Sequence, residues 1–290
     1  TVNIAVGWGE IGGFNGGFIS AVPANSAEGE TLGDIYQSYA SVRQELTSVA
    51  TSADDKSTLA ALPAISPYGN VSYDISSAQA KAFGLINATN PAIDGAVGFA
   101  TNWPSSDLIA AALHEITHAM GRNSGWAAPS NGSMVTLLDL MRFSAPGVFA
   151  DDGTKASASA LQYFSTDGGK TILAHYAISS DLGDWYSDSL TANDPNNAYL
   201  SSGSNALTNT DLRVLDVIGF NLVGSTTSPD LVIASATPNT SSVVKGNTLT
   251  FSYIVSNIGT AGAGSSITNI ALDGNTCLLY TSDAADDTPC

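Results

Sequence analysis

The sequence predicts an α+β domain over residues 1–223, a short linker at 224–229 and a partial β-sandwich over 230–276. Three observations support this organisation. Helix-like and strand-like hydrophobic patterns alternate through the first segment, which is typical of a mixed fold. A polar run rich in Ser, Thr and Gly forms the linker, and apolar and polar residues alternate at period two after it.

The first segment divides into elements by hydrophobic period. Strands are predicted at 1–8, 71–75 and 96–100, and helices at 32–49, 76–83 and 212–218. Gly84 and Gly219 stand where the last two helices end, the usual position for a helix-terminating glycine. Residues 122–210, rich in Asp, Ser, Asn and Gly, are expected to form loops and short hairpins.

A further helix is predicted over 104–120. Ser105 or Ser106 can cap its N-terminus, Asp107 suits the positive end of its dipole, and Gly121 ends it. The alanines and leucines between these ends have high helix propensity.

This helix carries a His-Glu-x-x-His arrangement. His114 and His118 are four residues apart, so both imidazoles point to one side of a helix and can bind one cation. Glu115 lies beside the first histidine but off the ligand axis. This spacing predicts a zinc site in which the metal activates a water and Glu115 serves as general base.

Residues 1 to about 223 resemble a family of secreted bacterial HExxH metalloproteases with a zincin-like fold. The resemblance rests on residues 2–9, 114–121, 139–147, 163–169, 183–185 and 216–220. It implies a zinc-bound catalytic domain that hydrolyses peptide bonds and is placed outside the cell or on its surface.

Zinc usually needs a third protein ligand, which the motif does not supply. The metzincin pattern would place a ligand at Ser124, so the sequence departs from it. Asp139, 21 positions after His118, is the preferred candidate because its spacing resembles that of gluzincins. His175 and Asp184 are the alternatives, and Met141 resembles a metzincin Met-turn.

Other polar residues suggest supporting roles. Asp-rich turns at 151–153, 165–169 and 193–197 could supply oxygen ligands to structural Ca²⁺, although such turns are also common without metal. Candidate stabilisers of the tetrahedral oxyanion are Arg142, Tyr163 and Tyr176. An extended substrate is expected along a sheet edge near 96–101.

Charge and composition limit the kinds of molecule that this protein is expected to bind. With 26 acidic and 9 basic residues in 290, the net charge is −17, so nucleic acid is not an expected partner. No apolar run is long enough to span a bilayer. A protein or peptide substrate is the expected partner. The sequence starts within the first strand without an initiator Met, so a signal peptide, if the protein has one, is not part of it and export cannot be read directly.

The C-terminal segment has two parts. Residues 231–261 resemble the opening strands of a CARDB-type, immunoglobulin-like repeat. Both cysteines lie in 277–290, and Cys277 to Asp286 resembles the in-frame translation of a transposase-type sequencing adapter. We expect 277–290 to be an artefact, which leaves a chain without cysteine.

Two alternatives to a zinc endopeptidase stay open. One is a cell-surface adhesion or polysaccharide-associated protein with a vestigial zinc domain. The other is a zinc amidase or deacetylase that acts on non-peptide amides by the same chemistry.

Overall fold

A computed structural model describes residues 1–12, 19–125, 134–151, 155–179, 181–200, 204–222, 231–238, 250–257, 267–272 and 275–280. The chain divides into two units, Thr1–Leu222 and Val223–Cys290. The first unit is mixed α+β with several small sheets and few helices, which confirms the predicted class at that level. Its zincin-like character stays a prediction.

The first unit contains twelve described strands and five described α-helices. The strands are β1 (Ile4–Trp8), β2 (Glu10–Gly12), β3 (Ile19–Ala21), β4 (Ala27–Thr31), β5 (Ile35–Gln37), β6 (Ser72–Ile75), β7 (Gly95–Phe99), β8 (Met134–Thr136), β9 (Arg142–Ala145), β10 (Val148–Phe149), β11 (Tyr163–Phe164) and β12 (Ala174–His175). The helices are α1 (Tyr39–Val49), α2 (Ala53–Ala61), α3 (Ser77–Ala82), α4 (Leu108–Ala119) and α5 (Asn209–Val217), with a 3₁₀ helix at Leu138–Met141.

The sheet that supports the site has the order β1-β7-β4. β1 pairs with β7 in parallel, and β4 pairs with β7 in antiparallel register, Gly29 opposite Val97. The other sheets of this unit have the orders β5-β6-β8, β10-β9-β11-β12 and β2-β3.

Helix α4 packs on this sheet at very short range. A Cβ atom built on Gly29 would lie 2.4 Å from the carbonyl oxygen of Glu115, and one on Gly95 would lie 2.5 Å from that of Ala119. Only glycine permits such an approach of backbone to backbone. Val97 and Phe99 of β7 bury their side chains against the same helix and fix its position over the sheet.

The sequence located most elements but misplaced two helix starts. The helix predicted at 32–49 begins at Tyr39, because Ile35–Gln37 joins β6 as a strand and Ser38 caps the helix. The helix predicted at 104–120 begins at Leu108, with Asp107 rather than Ser105 or Ser106 at the N-cap. Gly84, Gly121 and Gly219 have positive φ angles of 76°, 109° and 114° just after α3, α4 and α5.

Helix α2 lies outside the sequence predictions. It is weakly amphipathic, and its start is marked instead by a capping box between Ser52 and Asp55. The strands predicted at 1–8, 71–75 and 96–100 are present within one to three residues of their predicted bounds. The described residues of 122–210 form short strands and loops, as expected for that segment.

The second unit contains four described strands, β13 (Leu231–Pro238), β14 (Phe251–Asn257), β15 (Ile267–Leu272) and β16 (Asn275–Tyr280). β13 pairs with β14 and β15 pairs with β16, both antiparallel. None of the helices in the described parts of the chain is long and apolar enough to cross a membrane.

Candidate metal centre

The two histidines of α4 meet as the motif predicts. Their Nε2 atoms are 3.0 Å apart and their ring centroids 4.7 Å apart. His114 is 8% exposed and His118 is 4% exposed. The four-residue spacing on one helix therefore brings two imidazole nitrogens next to each other at a site that is largely shielded from solvent.

Backbone carbonyls orient both rings from the other side. Nδ1 of His114 lies 2.8 Å from the carbonyl oxygen of Pro195, and Nδ1 of His118 lies 2.8 Å from that of Arg122. A carbonyl oxygen only accepts hydrogen bonds, so each Nδ1 carries a proton, and in the neutral form of each ring Nε2 keeps its lone pair. This is the tautomer that metal-binding histidines usually adopt.

Asp184 completes the group. Its Oδ1 lies 3.0 Å from Nε2 of His118 and 3.3 Å from Nε2 of His114. Within the described residues, these three side chains form the one group of His, Cys, Asp or Glu that could hold a metal ion.

The geometry of this trio fits a divalent cation. Ligand atoms at about 2.0–2.1 Å from a tetrahedral zinc ion lie about 3.3 Å from one another. The three donor pairs here are separated by 3.0, 3.3 and 3.0 Å. Two neutral imidazole lone pairs that face each other at this distance repel unless a cation or proton lies between them.

The electrostatics agree with a site built for positive charge. Burial disfavours the charged form of His118, but the hydrogen bond and negative charge of Asp184 outweigh it and raise the pKa of His118 to about 9. Burial alone would raise the pKa of Asp184, yet its contacts with His114 and His118 hold that pKa far below the ordinary value.

Glu115 lies beside the trio without belonging to it. Its side chain is 8% exposed and lines the same cavity as His114, His118 and Asp184. Burial raises the pKa of Glu115, the two histidines lower it, and Asp184 and Asp181 raise it further. Glu115 is therefore a buried carboxylate at the cavity that is separate from the trio.

The cavity in front of these residues measures about 860 Å³. Residues 25–30, which include most of β4, form one wall, and residues 197–200 form another. The expected sheet edge near 96–101 is wrong, because β7 is hydrogen-bonded to β1 on one side and to β4 on the other. The edge strand at the cavity is β4.

Asp139, the preferred third ligand from sequence, is not brought to the histidines. Its carboxylate accepts hydrogen bonds from Ser124 Oγ, Gly125 N and both the backbone N and Oγ1 of Thr136 at 2.7–3.0 Å. Its lone pairs are therefore engaged within the fold, and Asp184 replaces it in our assignment.

The remaining candidates lie elsewhere. His175 hydrogen-bonds Asp188 at 2.7 Å, outside the trio. The three proposed oxyanion stabilisers do not line the cavity: Arg142 and Tyr176 are fully buried, and the Tyr163 hydroxyl donates to the carbonyl of Gly169. Among the described lining residues, Tyr199 offers a hydroxyl at the cavity and is 72% exposed.

The candidate calcium turns show local hydrogen bonding. The carboxylate of Asp167 accepts from Ser165 and Thr171, and that of Asp194 accepts from Asn196 and Thr208. Residues 152 and 153 of the turn at 151–153 lie outside the described residues. A structural calcium ion thus stays a prediction.

Comparison with known families bears on the second unit. Residues 228–284 match the CARDB family. The match confirms the resemblance stated for the C-terminal segment and overlaps residues 277–284, whose adapter origin stays a prediction. Comparisons with curated proteins and with solved structures give no match.

Proposed function

We propose that the first unit is a zinc-dependent peptidase. The observation that carries this proposal is the placement of Glu115, a buried carboxylate without a ligand role, beside the converged donors of His114, His118 and Asp184 in an open cavity. A structural zinc site is closed by four protein ligands, whereas three ligands beside a cavity leave one position for water or substrate.

Each residue of the site has a separate role in the proposed reaction. Nε2 of His114, Nε2 of His118 and the Asp184 carboxylate would hold the zinc ion. When bound, zinc supplies a Lewis acid that polarises the substrate carbonyl and lowers the pKa of a water. Glu115 takes a proton from the attacking water and passes it to the nitrogen of the leaving amine.

Substrate would bind along β4. This strand forms the outer edge of the described three-stranded sheet and faces the cavity. An extended peptide can add to such an edge through backbone hydrogen bonds, which orient its scissile bond without restricting its sequence. Because β4 packs directly on the backbone of α4 at Glu115, the peptide would lie beside the general base.

The cavity wall favours neutral or basic peptides. Four carboxylates besides the proposed site residues line it, namely Glu28, Glu30, Asp107 and Asp181. No lysine or arginine is found among its described lining residues. Acidic side chains of a substrate would be repelled here, and basic ones would be attracted.

The second unit supports a location outside the cell or on its surface. CARDB domains are commonly extracellular, and residues 228–284 match that family. The same match favours the second candidate, an adhesion protein whose zinc domain is vestigial. In that case Glu115 would have no function in catalysis.

Glu115→Gln separates the two candidates. The zinc-loaded variant should cleave an unstructured peptide mixture about 10²–10⁴-fold more slowly than the zinc-loaded wild type, because amide oxygen does not accept the proton. Its zinc content should stay at the wild-type level. Mass spectrometry of the digests provides the measurement.

Glu45→Gln provides the matched control, since Glu45 lies on α1 and does not line the cavity. Absence of cleavage by the zinc-loaded wild type, or equal cleavage by Glu115→Gln, would reject the peptidase mechanism.

A further inference from the structure

The segment that follows α4 holds one metal ligand in orientation. The carbonyl of Arg122 and Oδ1 of Asn123 both lie within 2.9 Å of Nδ1 of His118. Directly after them, Ser124 Oγ donates to Asp139 at 2.7 Å and Gly125 N donates to it at 2.8 Å. Asp139 therefore anchors the segment that fixes the His118 ring.

Arg142 connects the same anchor to a second segment. Its Nη2 donates to Ser124 Oγ at 3.2 Å and also to the carbonyl oxygen of Leu182, two residues before Asp184. Its Nε lies 3.7 Å from Oδ1 of Asp139. The guanidinium thus bridges the His118 segment and the loop that carries the third ligand.

The bridge is buried. Arg142 is fully buried, and its guanidinium stacks at 3.6 Å from the centroid of the Tyr176 ring. Removing one partner of a buried, hydrogen-bonded charge pair leaves the other uncompensated, so separating Arg142 from Asp139 costs free energy. Nη2 donates to one acceptor in each of the two segments, Nη1 donates to Oε1 of Gln162 at 3.4 Å, and Nε faces Asp139. The single ammonium of lysine cannot occupy all three of these positions.

The two segments also touch directly. A Cβ atom on Gly183 would lie 3.2 Å from the backbone N of Ser124 and 3.5 Å from the carbonyl oxygen of Arg122. The first distance is tighter than most Cβ contacts in proteins, and the second is an ordinary van der Waals contact. The position of Asp184 is therefore set by how closely its loop packs on the segment behind His118.

We propose that Asp139 and Arg142 are a positioning pair for the metal centre, which they serve by locking the segment behind His118 to the loop that carries Asp184. This inference rests on the proposed zinc site. The pair touches neither the metal nor the substrate and acts through the two ligands. Partners behind metal ligands commonly change metal affinity by about 10–100-fold when they are substituted.

Arg142→Lys tests the proposal, with zinc affinity measured by competition against a chromophoric chelator. We expect a zinc dissociation constant about 10–100-fold above that of the wild type. We also expect an altered visible absorption spectrum of the Co²⁺-substituted protein, because the carboxylate ligand shifts relative to the imidazoles. Stoichiometry at saturating metal should stay at one ion per chain.

Gly183→Ala is a second test variant if Arg142→Lys fails to fold. The added methyl group would push the loop that carries Asp184 away from the segment behind His118, while the charges of Asp139 and Arg142 stay in place. This substitution should weaken zinc binding and alter the Co²⁺ spectrum in the same way.

Lys81→Met provides the control, because Lys81 and Asp94 form another buried pair that has no hydrogen bond to the ligand segments. It should lower thermal stability and leave zinc affinity and the Co²⁺ spectrum unchanged.

The outcomes separate the two proposals. If the wild type binds no zinc, the metal centre itself is wrong. If the wild type binds zinc and Arg142→Lys or Gly183→Ala, whichever folds, shows wild-type affinity and spectrum, the positioning role is overturned while the metal centre stands. Equal weakening by Lys81→Met would also overturn it, since general destabilisation would then explain the effect.

Discussion

Two aspartates of the first unit are almost equally buried and yet have opposite surroundings. Asp139 is 0% exposed and Asp184 is 4% exposed. Four hydrogen-bond donors from Ser124, Gly125 and Thr136 surround the carboxylate of Asp139. Asp184 instead directs Oδ1 at two imidazole nitrogens whose other sides are held by carbonyls.

Asp139 and Asp184 differ in the groups that contact their carboxylates and not in how deeply they are buried. A carboxylate that accepts four hydrogen bonds from backbone and hydroxyl donors stabilises a loop, and binding a metal would disrupt those bonds. A carboxylate that meets two Nε2 lone pairs at 3.0–3.3 Å is in an arrangement that only a cation or proton makes favourable. We therefore assign Asp139 to structure and Asp184 to the metal.

The largest expected effect comes from Asp184→Ala. Loss of one of three protein ligands should weaken zinc binding on the order of a thousandfold or more, as measured by chelator competition at constant pH. Asp188→Ala is the matched control, because Asp188 pairs with His175 outside the trio. Retention of tight zinc binding by Asp184→Ala would reverse the assignment of the two aspartates.

Zinc removal should have the next largest effect. Zinc at about a thousandfold above its dissociation constant stabilises the native state by about 4 kcal/mol, so a chelator should lower the melting temperature by roughly 8–16 °C. Calorimetry of the wild type should show this shift in full, and Asp139→Asn should show a smaller one, because the loss of its positioning role weakens zinc binding. Asp184→Ala should show none, and a zinc-dependent shift in that variant would count against its role as a ligand.

Asp139→Asn should chiefly affect folding. The NH₂ group of asparagine would face the hydrogen-bond donors that now donate to the carboxylate. The substitution also leaves Arg142 without its buried counterion, so the free energy of unfolding should fall by about 3 kcal/mol. Urea denaturation of the metal-free protein measures this change. Unchanged stability together with loss of the bound zinc would instead show that Asp139 is a ligand.

Asp74→Asn should give the smallest change, and it should raise the free energy of unfolding, whereas Asp139→Asn lowers it. Asp74 differs from both Asp139 and Asp184, since its Oδ1 is buried without a hydrogen-bond partner. Burial, with a smaller contribution from Asp34, raises its pKa to about 6. The folded state therefore binds the proton more tightly than the unfolded state, and stability is lost as pH rises through 6.

The asparagine variant should consequently be more stable than the wild type at pH 7, by about 1 kcal/mol after allowance for partial exposure. The difference should vanish below about pH 4, where both states of the wild type are protonated. Urea titrations at the two pH values measure it. An equal gain at both would exclude burial of charge as the cause.

The sequence predicted the parts of this site that are local. His114, Glu115 and His118 share one helix, and the four-residue spacing alone places both imidazoles on one side of it. The stop at Gly121 was predictable for the same reason, because helix ends follow nearby residues. The alternating strands at 1–8 and 96–100 were likewise visible in their hydrophobic period.

The third ligand was not predictable in this way. Asp184 lies 66 residues after His118, and its place depends on how the loop before Trp185 packs. Its signal was present in 183–185, one of the segments of resemblance, but many aspartates of this acidic chain look equivalent in sequence. The edge strand β4 was also missed, because it has little hydrophobic alternation and its glycine matters only against α4.

Crystals grown with zinc would test the central claim most directly through an anomalous difference map at the zinc absorption edge. The account predicts one strong peak within coordination distance of Nε2 of His114, Nε2 of His118 and the carboxylate of Asp184. A peak bound by Asp139 or His175, or no peak at the two histidines of α4, would contradict it.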